Sequence, residues 1–237
     1  MKFSLIIVAL NEIDGMRVIL PRIRREWVDE ILVVDGGSTD GTSEYAEAQG
    51  YRVVRQKSKG LTNAYWEGLA AATGDVIIPF SPDGNSVPER IPELVSKMKE
   101  GYDMVIVSRY CEGAKSEDDD PITALGNWVF TQTINFLFGG RYTDTLVMFR
   151  AWRKELVDRF GLFTIYRPVV EPLLCILCAK YGLRVGEIPG DEPKRIEGGT
   201  RKMRPLINGL TILEIVVKEF FRPRRQVLET APLRQTP

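Results

Sequence analysis

Two turns dense in acidic residues and glycine, each following a short apolar run, carry the chemistry of this 237-residue chain. The first is Asp35-Gly36-Gly37-Ser38-Thr39-Asp40-Gly41-Thr42 after Ile31-Leu32-Val33-Val34. The second is Ser81-Pro82-Asp83-Gly84-Asn85 after Val76-Ile77-Ile78-Pro79-Phe80. Carboxylates repel phosphate, but they accept hydrogen bonds from a base or ribose and hold the divalent cation that carries a phosphate. In open α/β sheets, ligands gather beyond the carboxyl ends of parallel strands. Two such turns on one sheet predict a site for a nucleotide diphosphate with a metal ion, in preference to a dinucleotide.

The composition removes other chemistries. The chain has no histidine, which excludes histidine-ligated zinc and every histidine general base. Lysine plus arginine (32) equals aspartate plus glutamate (32), so no global field favours nucleic acid, and none is expected as a partner. No apolar run approaches the roughly 20 residues that a spanning helix needs. Ser4-Leu5-Ile6-Ile7-Val8-Ala9-Leu10 meets Asn11-Glu12 and reads as a first strand, not a signal peptide. Cys175 and Cys178 form a C-x-x-C, but their neighbours are apolar and no second pair exists. They read as buried cysteines on a helix, in a reducing, cytosolic setting.

The elements that must position the turns alternate. Short apolar runs at 4–10, 31–34, 52–55, 75–80 and 103–107 are separated by helical spacings from Ile13 to Arg25, Thr42 to Gln49, Asn63 to Ala72 and Glu89 to Glu100. This alternation predicts an α/β fold, a mostly parallel sheet with helices on both faces. Beyond Ser108 come an acidic loop, Glu117-Asp118-Asp119-Asp120, and an amphipathic stretch from Ile122 to Gly140 rich in aromatics. A strand over Thr143 to Phe149, a helix from Pro168 to Tyr181, a strand from Arg184 to Ile188, a polar loop from Asp191 to Arg204 and a helix from Leu206 to Phe221 are predicted next. The expected division is a catalytic domain at 1–205, an amphipathic helical appendage at 206–225 and a disordered tail at 226–237.

The order Asn11-Glu12, Val33-Val34-Asp35-Gly36-Gly37-Ser38-Thr39-Asp40-Gly41-Thr42, Ala72-Thr73-Gly74-Asp75 and Asp83-Gly84-Asn85 resembles the GT-A, family 2 glycosyltransferases. Within them it is most similar to the dolichyl-phosphate and polyprenyl-phosphate glycosyltransferases, which Ser108-Arg109-Tyr110, the segment from Asp144 to Arg150 and the basic loop from Arg195 to Lys202 also match. The likeness spans about residues 3–205. It departs in three places: Val8 replaces a usual proline, Gly36 a usual second aspartate, and Ser81-Pro82-Asp83-Gly84-Asn85 has one carboxylate fewer than the usual metal motif.

The resemblance implies an inverting transferase that takes a hexose-type sugar from a GDP- or UDP-linked donor with Mg²⁺ or Mn²⁺. It implies a metal at Asp83 and Asn85, and donor contacts at Ala9, Asn11, Glu12, Asp35, Gly37, Asp40, Gly60, Ala64, Ser81, Arg195 and Lys202. Arg195 and Lys202 are expected on a loop closing over the diphosphate, with Gly198 and Gly199 permitting closure. Arg109 and Arg150 are expected at the phosphate of a polyprenyl phosphate acceptor. Such an acceptor is already anionic and needs no base; a hydroxyl of a glycan or glycolipid would need one, with Asp144 or Glu171 as the candidate. A non-catalytic sugar-nucleotide-binding homologue is the rival from another class.

The acidic loop at 117–120 argues against a phosphate acceptor unless it points into solvent; the aromatic stretch 128–138 argues for a lipid. In the last helix Leu206, Ile207, Leu210, Leu213, Val217, Phe220 and Phe221 make an apolar stripe that Ile212, Ile215 and Val216 widen. Arg201, Lys202 and Arg204 precede it, and Arg222, Arg224 and Arg225 follow it. The expectation is a peripheral protein on the cytoplasmic face of a membrane.

Overall fold

The computed structural model describes residues 1–162, 170–196 and 205–224, the last stretch with side chains from Ile207 onward. A seven-stranded sheet runs through it in the order β3-β2-β1-β4-β6-β5-β7. The strands are β1 (Phe3–Ala9), β2 (Glu30–Asp35), β3 (Arg52–Arg55), β4 (Val76–Phe80), β5 (Met104–Ser108), β6 (Arg150–Arg153) and β7 (Val185–Pro189). All neighbouring pairs are parallel except those made by β6, which is antiparallel to β4 and β5. This mostly parallel α/β architecture is the one expected.

The central strands read as continuous apolar runs because both of their faces are covered. Ile6, Leu32, Val34, Ile77, Met104 and Trp152 face one helical layer. That layer holds α3 (Leu61–Ala71), α6 (Leu156–Phe160), α7 (Val170–Lys180) and α8 (Pro205–Phe221), with Ile134 from α5 (Pro121–Phe138). Leu5, Ile7, Val33, Ile78, Phe80 and Val105 face the other, where α1 (Ile13–Ile19), α2 (Thr42–Ala48) and α4 (Ile91–Lys99) pack. Parallel register puts Ala9 beside Asp35 and Ile7 beside Phe80, so β1, β2 and β4 end at one edge.

Three expectations are corrected. The first helix stops at Ile19 and gives way to a tight turn over Leu20–Arg22; Pro21 lacks the N–H that a continuing helix needs. The segment 143–149 is not a strand, because its amides go to side chains. Thr143 N donates to Glu187, Thr145 N to Thr131, and Leu146 N and Val147 N to Asp144. The strand lies just beyond, at Arg150–Arg153. In α8, Ile212, Ile215 and Val216 do not widen the apolar stripe. They are buried against the body, while Ile207, Leu210, Leu213, Val217, Phe220 and Phe221 are exposed on the opposite side.

Cys175 and Cys178 are fully buried and free on α7. Burial pushes the Cys175 thiol up to about 11, which suits an inert core residue. The predicted disordered tail at 226–237 and the basic residues Arg201, Lys202, Arg204 and Arg225 lie outside the described residues.

A buried amine fastens α8 to α7. Lys180 Nζ donates to the carbonyls of Glu219 and Arg222, each at 2.7 Å, and pairs with Glu219 Oε2 at 3.5 Å. The donor thus satisfies the carboxyl-terminal carbonyls that a helix leaves unpaired. Lys180→Met is expected to cost about 2–3 kcal/mol by orphaning those acceptors, read as a lowered Tm with native circular dichroism. An unchanged Tm would contradict this role.

Candidate functional site

At the shared strand edge, two loops lock to each other through side chains. Asn11 takes the left-handed conformation (φ 52°) just past β1, and its N–H donates to Ser38 Oγ while its Oδ1 accepts from Thr39 N. Asp40 accepts from Ile13 N at 3.1 Å and from Thr42 Oγ1 at 2.6 Å. Burial alone would raise the Asp40 carboxyl, but these hydrogen bonds outweigh it and hold it below the usual carboxylate range. Asp35 is buried and accepts from Gly37 N and Ser38 N at 3.1 and 3.2 Å. Asn11 and Asp40 therefore fasten the two loops into one rim at this edge of the sheet, and Asp35 shapes the second loop from within.

The second turn meets this rim through a glycine. A Cβ on Gly15 would lie 2.2 Å from the Pro82 carbonyl oxygen, so only glycine lets α1 approach the turn after β4 so closely. That approach brings Glu12 near Asp83. Burial raises the Asp83 carboxyl; Arg195, Asn85 N and Ser81 partly offset it, and the charge of Glu12 adds to the rise. A desolvated carboxylate of this kind gains most from a cation. Asn85 N donates to Asp83 Oδ1, and Asn85 Oδ1 faces the Ser86 hydroxyl at 3.4 Å. Among the described residues no group of three or more acidic or thiol side chains could hold a metal. Asp83 and the Asn85 amide oxygen fit a Mg²⁺ or Mn²⁺ whose remaining ligands come from phosphate and water.

Three expected contacts are corrected. Ala9 and Ala64 are core residues, 1% and 2% exposed; the Ala9 carbonyl accepts from Gly36 N, and the Ala64 N–H donates to the Gly60 carbonyl. Arg150, expected at the acceptor, is fully buried, and its guanidinium donates to the carbonyls of Val147, Thr145 and Glu171 and to Cys175 Sγ. It braces the loop before β6 from inside the core. Gly37 and Gly60 both have positive φ with open space around them, and Ser81 is half-buried beside Asp83. Lys202 lies outside the described residues.

Arg109 also differs from expectation. Its Nε and Nη2 donate to Asp144 at 2.6 and 3.1 Å, Nη1 donates to Glu192 at 3.1 Å, and Asp119 lies at 3.8 Å. Three carboxylates around one guanidinium leave Arg109 engaged, so it is not the group that would meet an acceptor phosphate in this arrangement. Asp144 is fully buried and also accepts from Asn127, Leu146 and Val147. Burial would raise its pKa, but Arg109 holds the carboxyl below the usual range. Such a group is a poor base. Glu171 has the opposite environment: burial raises it, and the charge of Arg150 only partly compensates.

The middle of the acidic loop, Asp118 and Asp119, turns inward, while Glu117 and Asp120 stay exposed. Asp118 pairs with Arg195 at 3.1 Å, Asp119 accepts from the Tyr110 hydroxyl, and Asp120 caps α5 by accepting from Ile122 N and Thr123 N. The Asp120-Pro121 dipeptide was a readable helix start. The roles of Asp118, Asp119, Glu187 and Glu192 had no local signal, because their partners are remote in sequence.

The sequence matches the family described as Glycosyl transferase family 2 over residues 4–161. It is 31% identical over 233 residues to the dolichol-phosphate mannosyltransferase of Pyrococcus furiosus, covering 90% of this chain and 61% of that one. It is 30% identical over 189 residues to the dolichyl-phosphate hexose transferase of Haloferax volcanii, covering 80% of each. The chain thus spans less than two thirds of the mannosyltransferase's length. Among solved structures, glucosyl-3-phosphoglycerate synthase from Mycobacterium tuberculosis, in complex with Mn²⁺, UDP and phosphoglyceric acid, superposes with a TM-score of 0.69. That match has 22% identity and covers 94% of this chain and 79% of the other, so it speaks to the fold. With the GT-A-like sheet, the paired acidic turns at its edge and these matches together, the chain belongs to glycosyl transferase family 2.

Proposed function

We propose that this chain is an inverting glycosyltransferase that moves a hexose-type sugar from a nucleotide diphosphate sugar to a polyprenyl phosphate at a membrane surface. The observation that carries the reading is Asp83, a desolvated carboxylate beside Arg195 at the edge where β1, β2 and β4 end. The rim from Asn11 to Asp40 receives the nucleoside, with Glu12 and Asp35 as acceptors for base or ribose hydrogens. Asp83 and Asn85 would hold the cation, which when bound would supply Lewis-acid stabilisation to the departing diphosphate. Arg195 adds a guanidinium to the same leaving group, suited to bidentate phosphate recognition.

An anionic acceptor is favoured by the fate of Asp144, the candidate base beside Arg109. Asp144 has its oxygens engaged by Arg109, Asn127 and two amides, and a phosphate nucleophile needs no proton removed. The relatives named for dolichyl-phosphate chemistry point the same way.

A lipid surface is supported by the exposed apolar face of α5, which its core-facing Ile134 leaves outside. Its inner face carries buried Asn127 and Thr131, hydrogen-bonded to Asp144 and Thr145. Its outer face carries Ile122, Leu125, Trp128, Val129 and Phe136, from 45% to 88% exposed. The neighbouring α8 adds its own exposed apolar stripe, followed by Arg222 and Arg224. No helix among the described residues is long and apolar enough to cross a membrane. An interfacial position buries both stripes without spanning, and nearby basic residues add attraction to an anionic leaflet.

Asp83→Ala is expected to abolish sugar transfer to a short polyprenyl phosphate while leaving the fold intact; unchanged turnover would refute the site. For the membrane position, wild type should float with anionic vesicles at low salt. Phe136→Glu/Leu210→Glu, which alters two exposed positions, should remain in the soluble fraction. Wild type that fails to float would contradict the peripheral reading.

A further inference from the structure

Asp83 already has a cation beside it. Arg195 Nε lies 3.8 Å from Asp83 Oδ2 and 3.1 Å from Asp118 Oδ2. It is buried and has no aligned hydrogen bond among the described residues. Backbone contacts on both sides deliver it there. Upstream, the segment around Glu192 is stitched to the acidic loop: Glu117 N donates to the Glu192 carbonyl and Glu192 N to the Lys115 carbonyl, each at 2.8 Å. Downstream, Ile196 N donates to the Asp83 carbonyl at 3.0 Å. Gly84 (φ 89°) makes room for that contact, since a Cβ there would lie 2.7 Å from Ile196 Cγ1.

The guanidinium therefore sits between two carboxylates, one in the metal turn and one in the acidic loop. A divalent cation reaching Asp83 must displace it. A free cation brings no new partner for the arginine, whereas a nucleotide diphosphate brings phosphate oxygens for both the metal and the guanidinium. We propose that Arg195 is the resident counter-ion that shields Asp83 from free divalent cations. Asp118 is the positioning residue onto which the guanidinium withdraws when a cation arrives with a nucleotide diphosphate. Metal and nucleotide then bind as a coupled pair, and the acidic loop keeps Arg195 within reach of the donor. This inference rests on the reading of Asp83 as a cation ligand.

The test is Mn²⁺ binding followed by electron paramagnetic resonance on the full chain, with folding checked by thermal melting. Without nucleotide, Arg195→Ala should bind Mn²⁺ about tenfold more tightly than wild type. Arg195→Ala/Asp83→Ala should lose that gain. Lys194→Ala removes one charge from the exposed neighbouring residue and should stay within about twofold of wild type. With UDP or GDP present, Asp118→Asn should weaken Mn²⁺ binding about fivefold, because the arginine loses its alternative anchor. Equal Mn²⁺ affinity in wild type and Arg195→Ala overturns the shielding, and so does a gain matched by Lys194→Ala, which would be a net-charge effect. Unchanged binding in Asp118→Asn overturns its positioning role. A gain that survives Asp83→Ala overturns the ligand assignment itself. None of these measurements involves sugar transfer, so failure of the shielding is distinguishable from failure of the transferase reading.

Discussion

One buried ion pair, Arg109 with Asp144, ties the chain after β5 to the loop before β6, with Asp119 and Glu192 joining it. Arg109 follows β5, Asp144 lies in the loop before β6, Asp119 belongs to the acidic loop and Glu192 follows β7. Four stretches far apart in sequence thus meet on one guanidinium. Removing either member of a buried pair leaves an uncompensated charge, a loss of about 3–5 kcal/mol. That penalty makes the arrangement single-valued. It sets the height of the acidic loop, hence the position of Asp118, hence the place where Arg195 meets Asp83.

The same cluster explains why arginines in this chain are not interchangeable. Arg150 lies wholly inside the core and serves backbone carbonyls. Arg109 is engaged by carboxylates. Arg195 is the one of these three that has a buried N–H without an aligned acceptor, the state expected of a group that meets its preferred partner only when a ligand is bound. With a single carboxylate in Ser81-Pro82-Asp83-Gly84-Asn85, Arg195 is shared between Asp83 of that turn and Asp118 of the acidic loop.

Much of the fold was legible because strands covered on both faces appear as continuous apolar runs. β1, β2, β4 and β5 declare themselves in this way, and the acidic turns declare the edge where they end. β6 did not, since Arg150-Ala151-Trp152-Arg153 is half charged and its burial depends on carbonyls from another loop. The α5 stretch was legible as apolar, but not which polar residues it buries, because Asn127 and Thr131 turn inward only by virtue of Asp144 and Thr145. The site divided along the same line. Asn11, Asp35, Asp40 and Asp83 sit in local turns that a sequence displays. The carboxylates that cage Arg109 come from positions 10, 35 and 83 residues away, a pattern only a folded chain reveals.

Under the proposed function, Asp83 and a divalent cation bind the donor diphosphate together. A thermal-shift panel of UDP, GDP and their sugars, each with Mn²⁺ and each with a chelator, tests it most directly. Stabilisation by one nucleotide family is expected only when Mn²⁺ is present, with no such dependence in Asp83→Ala. Equal stabilisation in Mn²⁺ and in chelator would contradict it.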